Sequence, residues 1–298
     1  MNRQRGSLLV MTLWIVTILG ALSVAVARYL STEVRLTKYR LARQEARELA
    51  RSGALLALNV IWLDRTPDVD WLGDEWVVLA PIELGQGRRL TITITDEDRK
   101  LNVNAASAEQ LEPLLGSRQL AEAIVDYADL NTDGPAESPV DTPPYYPKNA
   151  PIVALEELRD LPNMTDEIFA ALQQFTFAAP GAPLTLTVNI NTATQPAMLA
   201  YGLSGDTVNR IDEILRTPNG RFEQPGTILS TLGWDITDPA KAGEGTLLSS
   251  MMTSSSVFLV VAEGVVEQPA VRVRIQAVIQ RSADPTSPAP KIIAWRES

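Results

Sequence analysis

Residues 7–27, SLLVMTLWIVTILGALSVAVA, form an unbroken apolar run with no charged side chain. As a helix this run spans about 31 Å, the thickness of a bilayer's hydrocarbon core. The pattern then changes, but nothing breaks the helix. Residues 28–63 contain no proline and a single glycine, Gly53. Leu30, Val34, Leu41, Leu49, Leu56 and Val60 recur at three- to four-residue steps or multiples of them. Glu33, Arg35, Arg43, Glu45, Arg47 and Glu48 fill much of the rest. This period predicts an amphipathic helix. One helix from Ser7 to about Leu63 would be about 85 Å long. A membrane helix followed by a separate amphipathic helix is the alternative.

After a turn-rich exit at 64–71, the alternation changes to strand period. Glu75–Glu83 and Arg88–Thr95 read as strands, with Gly85-Gln86-Gly87 as the hairpin turn between them. Strand patterns return at Val257–Val266, Val271–Arg281 and Lys291–Trp295, and 282–290 is a loop. Between the two strand groups lie short helices and polar loops. The pattern predicts an α+β chain: one antiparallel sheet split in sequence, residues 64–101 and 246–298, with a helical domain of residues 102–245 inserted.

A weak repeat runs through that insertion. Leu101-Asn102-Val103-Asn104-Ala105-Ala106-Ser107 parallels Val188-Asn189-Ile190-Asn191-Thr192-Ala193-Thr194. Each copy precedes an amphipathic helix. Ser107 and Thr194 are expected as helix caps, and the asparagines as ties for local backbone turns.

Composition removes several chemistries. The chain has 298 residues, 45% of them hydrophobic, and neither Cys nor His. Disulfides, thiol nucleophiles, Ser-His triads and the common zinc sites are therefore excluded. The formal charge of −10 does not attract a phosphate backbone. Glu156-Glu157 are adjacent, so on a helix they diverge and do not form an acid/base pair. No nucleophile motif or phosphate-binding glycine loop appears, so an enzyme is not expected.

The first residues sharpen the reading of the apolar run. A short basic leader, MNRQRG, ends in Gly6, and the run starts at once with Ser7. Arg3 and Arg5 before the run fit a cytoplasmic N-terminus. A secretory signal cut near Ala25-Val26-Ala27, or a plain signal anchor, would also explain the apolarity. The order of basic leader, glycine and helix resembles a type IV prepilin leader. That resemblance implies cleavage by prepilin peptidase between Gly6 and Ser7, followed by N-methylation of Ser7. It also implies a type IV pilin-like fold, with the long helix lying against a sheet. With Ser7 as the first mature residue the fifth is Met11, where most pilins and pseudopilins have Glu.

Met11, Asp96-Glu97, the Asn-x-Asn segments, Asn149-Ala150-Pro151 and Leu155-Glu156-Glu157-Leu158-Arg159 occur in an order that resembles general secretion pathway protein K, the K-class minor pseudopilins of type II secretion. The resemblance implies a single-pass protein of the inner membrane. Residues 1–6 would be the leader, 7–27 the membrane segment and 28–63 the periplasmic half of the helix, with the C-terminal domain in the periplasm. It further implies a tip complex with the I and J minor pseudopilins, and contacts with the H class, the major pseudopilin and secreted exoproteins.

An acidic loop follows, DYADLNTDGPAESPVD, residues 126–141. Asp129, Asn131 and Asp133 alternate and Gly134 follows, like the first half of an EF-hand loop. The twelfth position is Val140, so the EF-hand fails. Asp126, Glu137 and Asp141 add oxygens, and an all-oxygen set favours Ca²⁺. An ordinary solvated turn is the alternative, and the family resemblance favours calcium. A plain type IV minor pilin and a helix-hairpin-helix DNA-binding protein are the rival functions. The second lacks a Gly pair at Asn163-Met164-Thr165 and at Leu232-Gly233-Trp234, and lacks a basic patch around them, so no nucleic-acid partner is expected.

Overall fold

The computed structural model describes residues 3–131, 148–178, 186–235, 238, 241–282 and 289–298. Helix α1 (Arg3–Trp62) is continuous and about 90 Å long. Strands β1 (Ile82–Gly85) and β2 (Arg88–Asp96) form a hairpin. Gly85, Gln86 and Gly87 all take positive φ at its turn, which two glycines make inexpensive. β3 (Leu101–Asn102) and β4 (Thr176–Phe177) form a short parallel pair. β5 (Val257–Glu267), β6 (Ala270–Gln280) and β7 (Lys291–Glu297) complete an antiparallel five-stranded sheet of order β1-β2-β5-β6-β7. In the β5–β6 ladder Val260 opposes Ala277 and Ala262 opposes Ile275. This is the split sheet the alternation predicts, and the fold is α+β and pilin-like, with an inserted helical region.

The face of α1 that meets the sheet is not the one its leucine period marks. Ala42, Ala46, Ala50, Ala54 and Ala57 are buried against the sheet, ending at Ile61. Leu30, Val34, Leu41 and Leu56 are 40–66% exposed. Small side chains let the helix axis approach the sheet, whereas leucines would hold it away. The approach is close at Gly264 on β5, where a Cβ would stand 2.1 Å from the carbonyl oxygen of Ala46.

The strand expected over Glu75–Glu83 is confined to its last residues. The preceding stretch turns, with Asp74 N–H donating to Trp71 O (3.2 Å) and Val77 N–H to Asp74 O (3.1 Å). The turn buries Trp76, whose ring meets Phe258 edge-on at 5.4 Å. Its apolar residues thus cap the sheet instead of extending it.

The insertion contains α2 (Ala108–Leu115), α3 (Arg118–Ala128), a 3₁₀ turn (Leu155–Asp160) and α4 (Asp166–Phe175). It continues with α5 (Gln195–Tyr201), α6 (Gly205–Leu215), a second 3₁₀ turn (Pro225–Thr227), α7 (Ile228–Thr231) and α8 (Ala242–Ser250). Its apolar side chains form two separate cores. One is built on Val103, Leu111, Ile124, Ile152, Phe169 and Leu172, the other on Val188, Ile190, Met198, Ile211, Phe222 and Met251.

Candidate functional site

The candidate sites fall in three places, two of them named from the sequence. Gly6 and Ser7 lie within α1. Met11 is exposed on its apolar segment. Among the described residues, α1 is the one helix long and apolar enough to cross a membrane.

The two cores of the insertion are two copies of one module. In each, the first asparagine of the Asn-x-Asn pair caps its own turn: Asn102 Oδ1 accepts from Asn104 N–H (3.1 Å), and Asn189 Oδ1 from Asn191 N–H (3.0 Å). The second asparagine clamps a distant backbone. Asn104 donates to Ile152 O (2.9 Å) and accepts from Ile152 N–H (2.7 Å). Asn191 does the same with Phe222, at 3.0 and 2.7 Å. Each first helix then ends on a left-handed glycine, Gly116 or Gly202. Each chain later turns through a left-handed residue, Asn163 or Gly233. Each returns beside its start in parallel, Leu101 and Asn102 with Thr176 and Phe177, and Asn189 with Met252. The caps also agree in position. Gln110 Oε1 reaches back to Ser107 N–H (2.9 Å), and Thr194 Oγ1 accepts from Ala197 N–H (3.4 Å).

The duplication locates the acidic loop. It fills the interval between α3 and the clamped Ile152, which the second copy closes in a few residues before Phe222. Asp126 is buried near the end of α3, and Asp129 is that helix's C-cap. Asn131 donates to Asp129 Oδ2 at 2.7 Å. Asp133, Glu137 and Asp141 lie outside the described residues. The loop's two ends meet where Asn149 N–H donates to Tyr127 O (3.1 Å). Asp129 Oδ1 and Asn149 Oδ1 are both buried there without a hydrogen-bond partner. Two shielded oxygens without donors are costly unless a cation supplies the missing charge, so this oxygen set fits a hard divalent ion. Among the described residues, no group of three or more carboxylates gathers as a metal site by itself. Asn149 was not a sequence-level ligand candidate; its positive φ of 51° is typical of a loop asparagine.

The third place is a buried carboxylate junction joining the insertion to the sheet, which sequence reasoning missed. Asp96 Oδ2 at the end of β2 accepts from Ser255 Oγ (2.6 Å), Thr192 Oγ1 (2.5 Å) and Asn189 Nδ2 (3.3 Å). Asp98 Oδ2 accepts from the Ser256 and Val257 N–H groups at 2.5 and 3.2 Å. Fully buried Asp70 meets Arg281 at 2.6 and 3.1 Å and accepts from Ser255 N–H (2.7 Å). Arg281 also donates to Asp64 (2.9 Å) and Ser255 O (3.0 Å). Burial pushes the Asp70 carboxyl up to about 6 despite the guanidinium. Burial, and then the charge of Asp98, push Asp96 to about 6 as well. Carboxylates of this kind favour the folded state in mild acid and lose that contribution as pH rises through their folded values. Its chemistry is that of a structural lock: carboxylates held by hydroxyl, amide and guanidinium donors.

Comparison with known proteins agrees with this architecture. The family model for type II secretion system (T2SS) protein K matches residues 90–181, which run from β2 through the first module. A protein of Escherichia coli strain K12, provisionally named type II secretion system protein K, is 22% identical over 221 residues, 64% of this chain and 67% of that one. A chain in the crystal structure of the GspK–GspI–GspJ complex from the enterotoxigenic Escherichia coli type 2 secretion system superposes with a TM-score of 0.69. The match covers 88% of this chain and 99% of that one at 16% identity, and it establishes the shared fold. The protein K model thus matches β2 and the first module of this chain, and the chain shares its fold with a chain of the GspK–GspI–GspJ complex.

Proposed function

We propose that the chain is a minor pseudopilin of type II secretion, held in the inner membrane by residues 7–27 with its body in the periplasm. There it joins the I and J minor pseudopilins to start the pseudopilus that supports export of folded proteins. The observation that supports this reading most directly is the division of labour along α1. Its alanine face is consumed by its own sheet, while its leucines face outward beyond the apolar segment. Outward leucines on a membrane-anchored helix suit packing against other helices of the same kind. Met11 removes the carboxylate that would neutralise a neighbour's terminal amine. The bulk of the insertion excludes a further subunit above, which favours the tip. The test is co-expression with the I and J minor pseudopilins: all three are expected to co-elute as one complex. Separate elution at micromolar concentrations would contradict the reading.

We also propose that Asp129 and Asn149, with Asp126, Asn131 and the acidic loop beyond them, hold Ca²⁺. The ion would satisfy the two orphaned oxygens and tie the loop's ends together, which is structural chemistry and not catalysis. Calcium at 100 times its Kd is expected to stabilise the fold by about 2.7 kcal/mol, read as a rise in the thermal midpoint. Asp129→Ala should abolish the rise. No shift at millimolar calcium would sink the assignment.

A further inference from the structure

Charge is sharply segregated along this chain. Residues 28–51 carry seven basic side chains against three acidic, while residues 52–298 carry 17 basic against 33 acidic. Four of the arginines, Arg40, Arg43, Arg47 and Arg51, recur at three- to four-residue steps and so share one flank of α1. Arg47 meets Glu297 on β7 at 2.7 Å. The other three are exposed and meet no ion-pair partner among the described residues.

This flank forms the wall of a trough beside β7, the terminal strand of the sheet. Leu55 continues the wall, and Ile292 and Trp295 line the sheet side. Trp295 is 43% exposed. Glu48 and Glu297 line the trough too, which leaves it with a net positive charge of two. Among the described residues β7 pairs with β6 alone, and this terminal edge, the half-exposed Trp295 and arginines without described ion-pair partners sit together on an otherwise acidic protein.

We propose that this trough docks an acidic, partly apolar segment of a second polypeptide. Its carboxylates would lie between Arg43 and Arg51, and an apolar side chain would cover Trp295. Charge complementarity selects the partner's sign, and the edge of β7, unpaired among the described residues, suits an extended segment that adds as a strand. Position argues against lipid headgroups. Along a helix following the bilayer normal, residues 40–51 stand about 20–36 Å beyond Ala27, whereas the headgroup layer is only about 5–8 Å deep. That step rests on the membrane placement of residues 7–27, which the mass of the processed chain tests separately.

The test uses the full chain in uncharged detergent and a fluorescein-labelled peptide of alternating Glu and Leu, read by anisotropy. An alternating Lys and Leu peptide is the control. The wild type is expected to bind the acidic peptide alone, and more weakly as salt rises. An Arg43→Glu/Arg51→Glu variant should lose at least tenfold affinity and gain binding of the basic peptide, with an unchanged thermal midpoint. Three results would each overturn the proposal: no binding of the acidic peptide, equal affinity in the variant, or arginine-dependent binding to phosphatidylglycerol vesicles without peptide binding.

Discussion

Gly264→Val is expected to unfold the sheet-and-helix body, a loss of more than about 4 kcal/mol. A Cβ at Gly264 would stand 2.1 Å from Ala46 O, 2.9 Å from Ala50 N and 2.9 Å from Leu49 Cβ. Two of these three atoms are helix backbone and cannot rotate away, so α1 must lift off β5. Lifting it would expose Ala46, Ala50 and Ala54 together with the strand residues beneath them, which is most of that core. Thermal unfolding by circular dichroism checks this, with Gly243→Ala as control. An added Cβ at Gly243 in α8 meets nothing within 4 Å, and the substitution should be neutral or gain up to about 1 kcal/mol of helix propensity. A folded Gly264→Val chain with a wild-type midpoint would show that the alanine face does not carry the helix.

The second large effect lies at the junction. Arg281→Met removes the partner of Asp70, which is fully buried, and of Asp64, whose side chain is 7% exposed. It also removes the guanidinium stacked 4.9 Å from the Phe258 ring. An uncompensated buried charge costs about 3–5 kcal/mol. The sign of the pH dependence follows from Asp70, which burial already holds near pH 6. At pH 7.5 the variant must bury a bare carboxylate or bind a proton against the solution. At pH 5 the wild type is itself largely protonated there, so the ion pair contributes little to either chain's difference. The loss in midpoint should therefore be large at pH 7.5 and much smaller at pH 5. Equal losses at the two values would mean that Arg281 acts through packing or through Asp64 and not through Asp70.

How much of this was legible in the sequence varies by residue. Strict alternation through Val271–Ile275 located β6, and the Asn-x-Asn repeat pointed to the paired modules, because local hydrogen bonding is written in local sequence. The alanine face of α1 was not legible. A leucine period ordinarily marks the buried side, but a subunit built to pack on neighbours has two apolar environments and keeps its smallest residues for its own sheet. The strand expected from Glu75 failed because Trp76 and its neighbours satisfy their apolar surface as a cap. Asp70 and Arg281 carried no expectation in the sequence, and Asp96 entered only through the family resemblance. Most of their partners lie 93 to 217 residues away, and no spacing rule reaches that far. Asn149 escaped notice because it lies 22 residues along the chain from Tyr127, whose carbonyl oxygen its N–H meets.

The most direct test of the central claim is the intact mass of the chain co-expressed with prepilin peptidase, beside a Gly6-substituted control. Loss of residues 1–6 with gain of one methyl on Ser7, absent in the control, is the predicted result. A full-length mass, or a cut near Ala27, would contradict the pseudopilin reading.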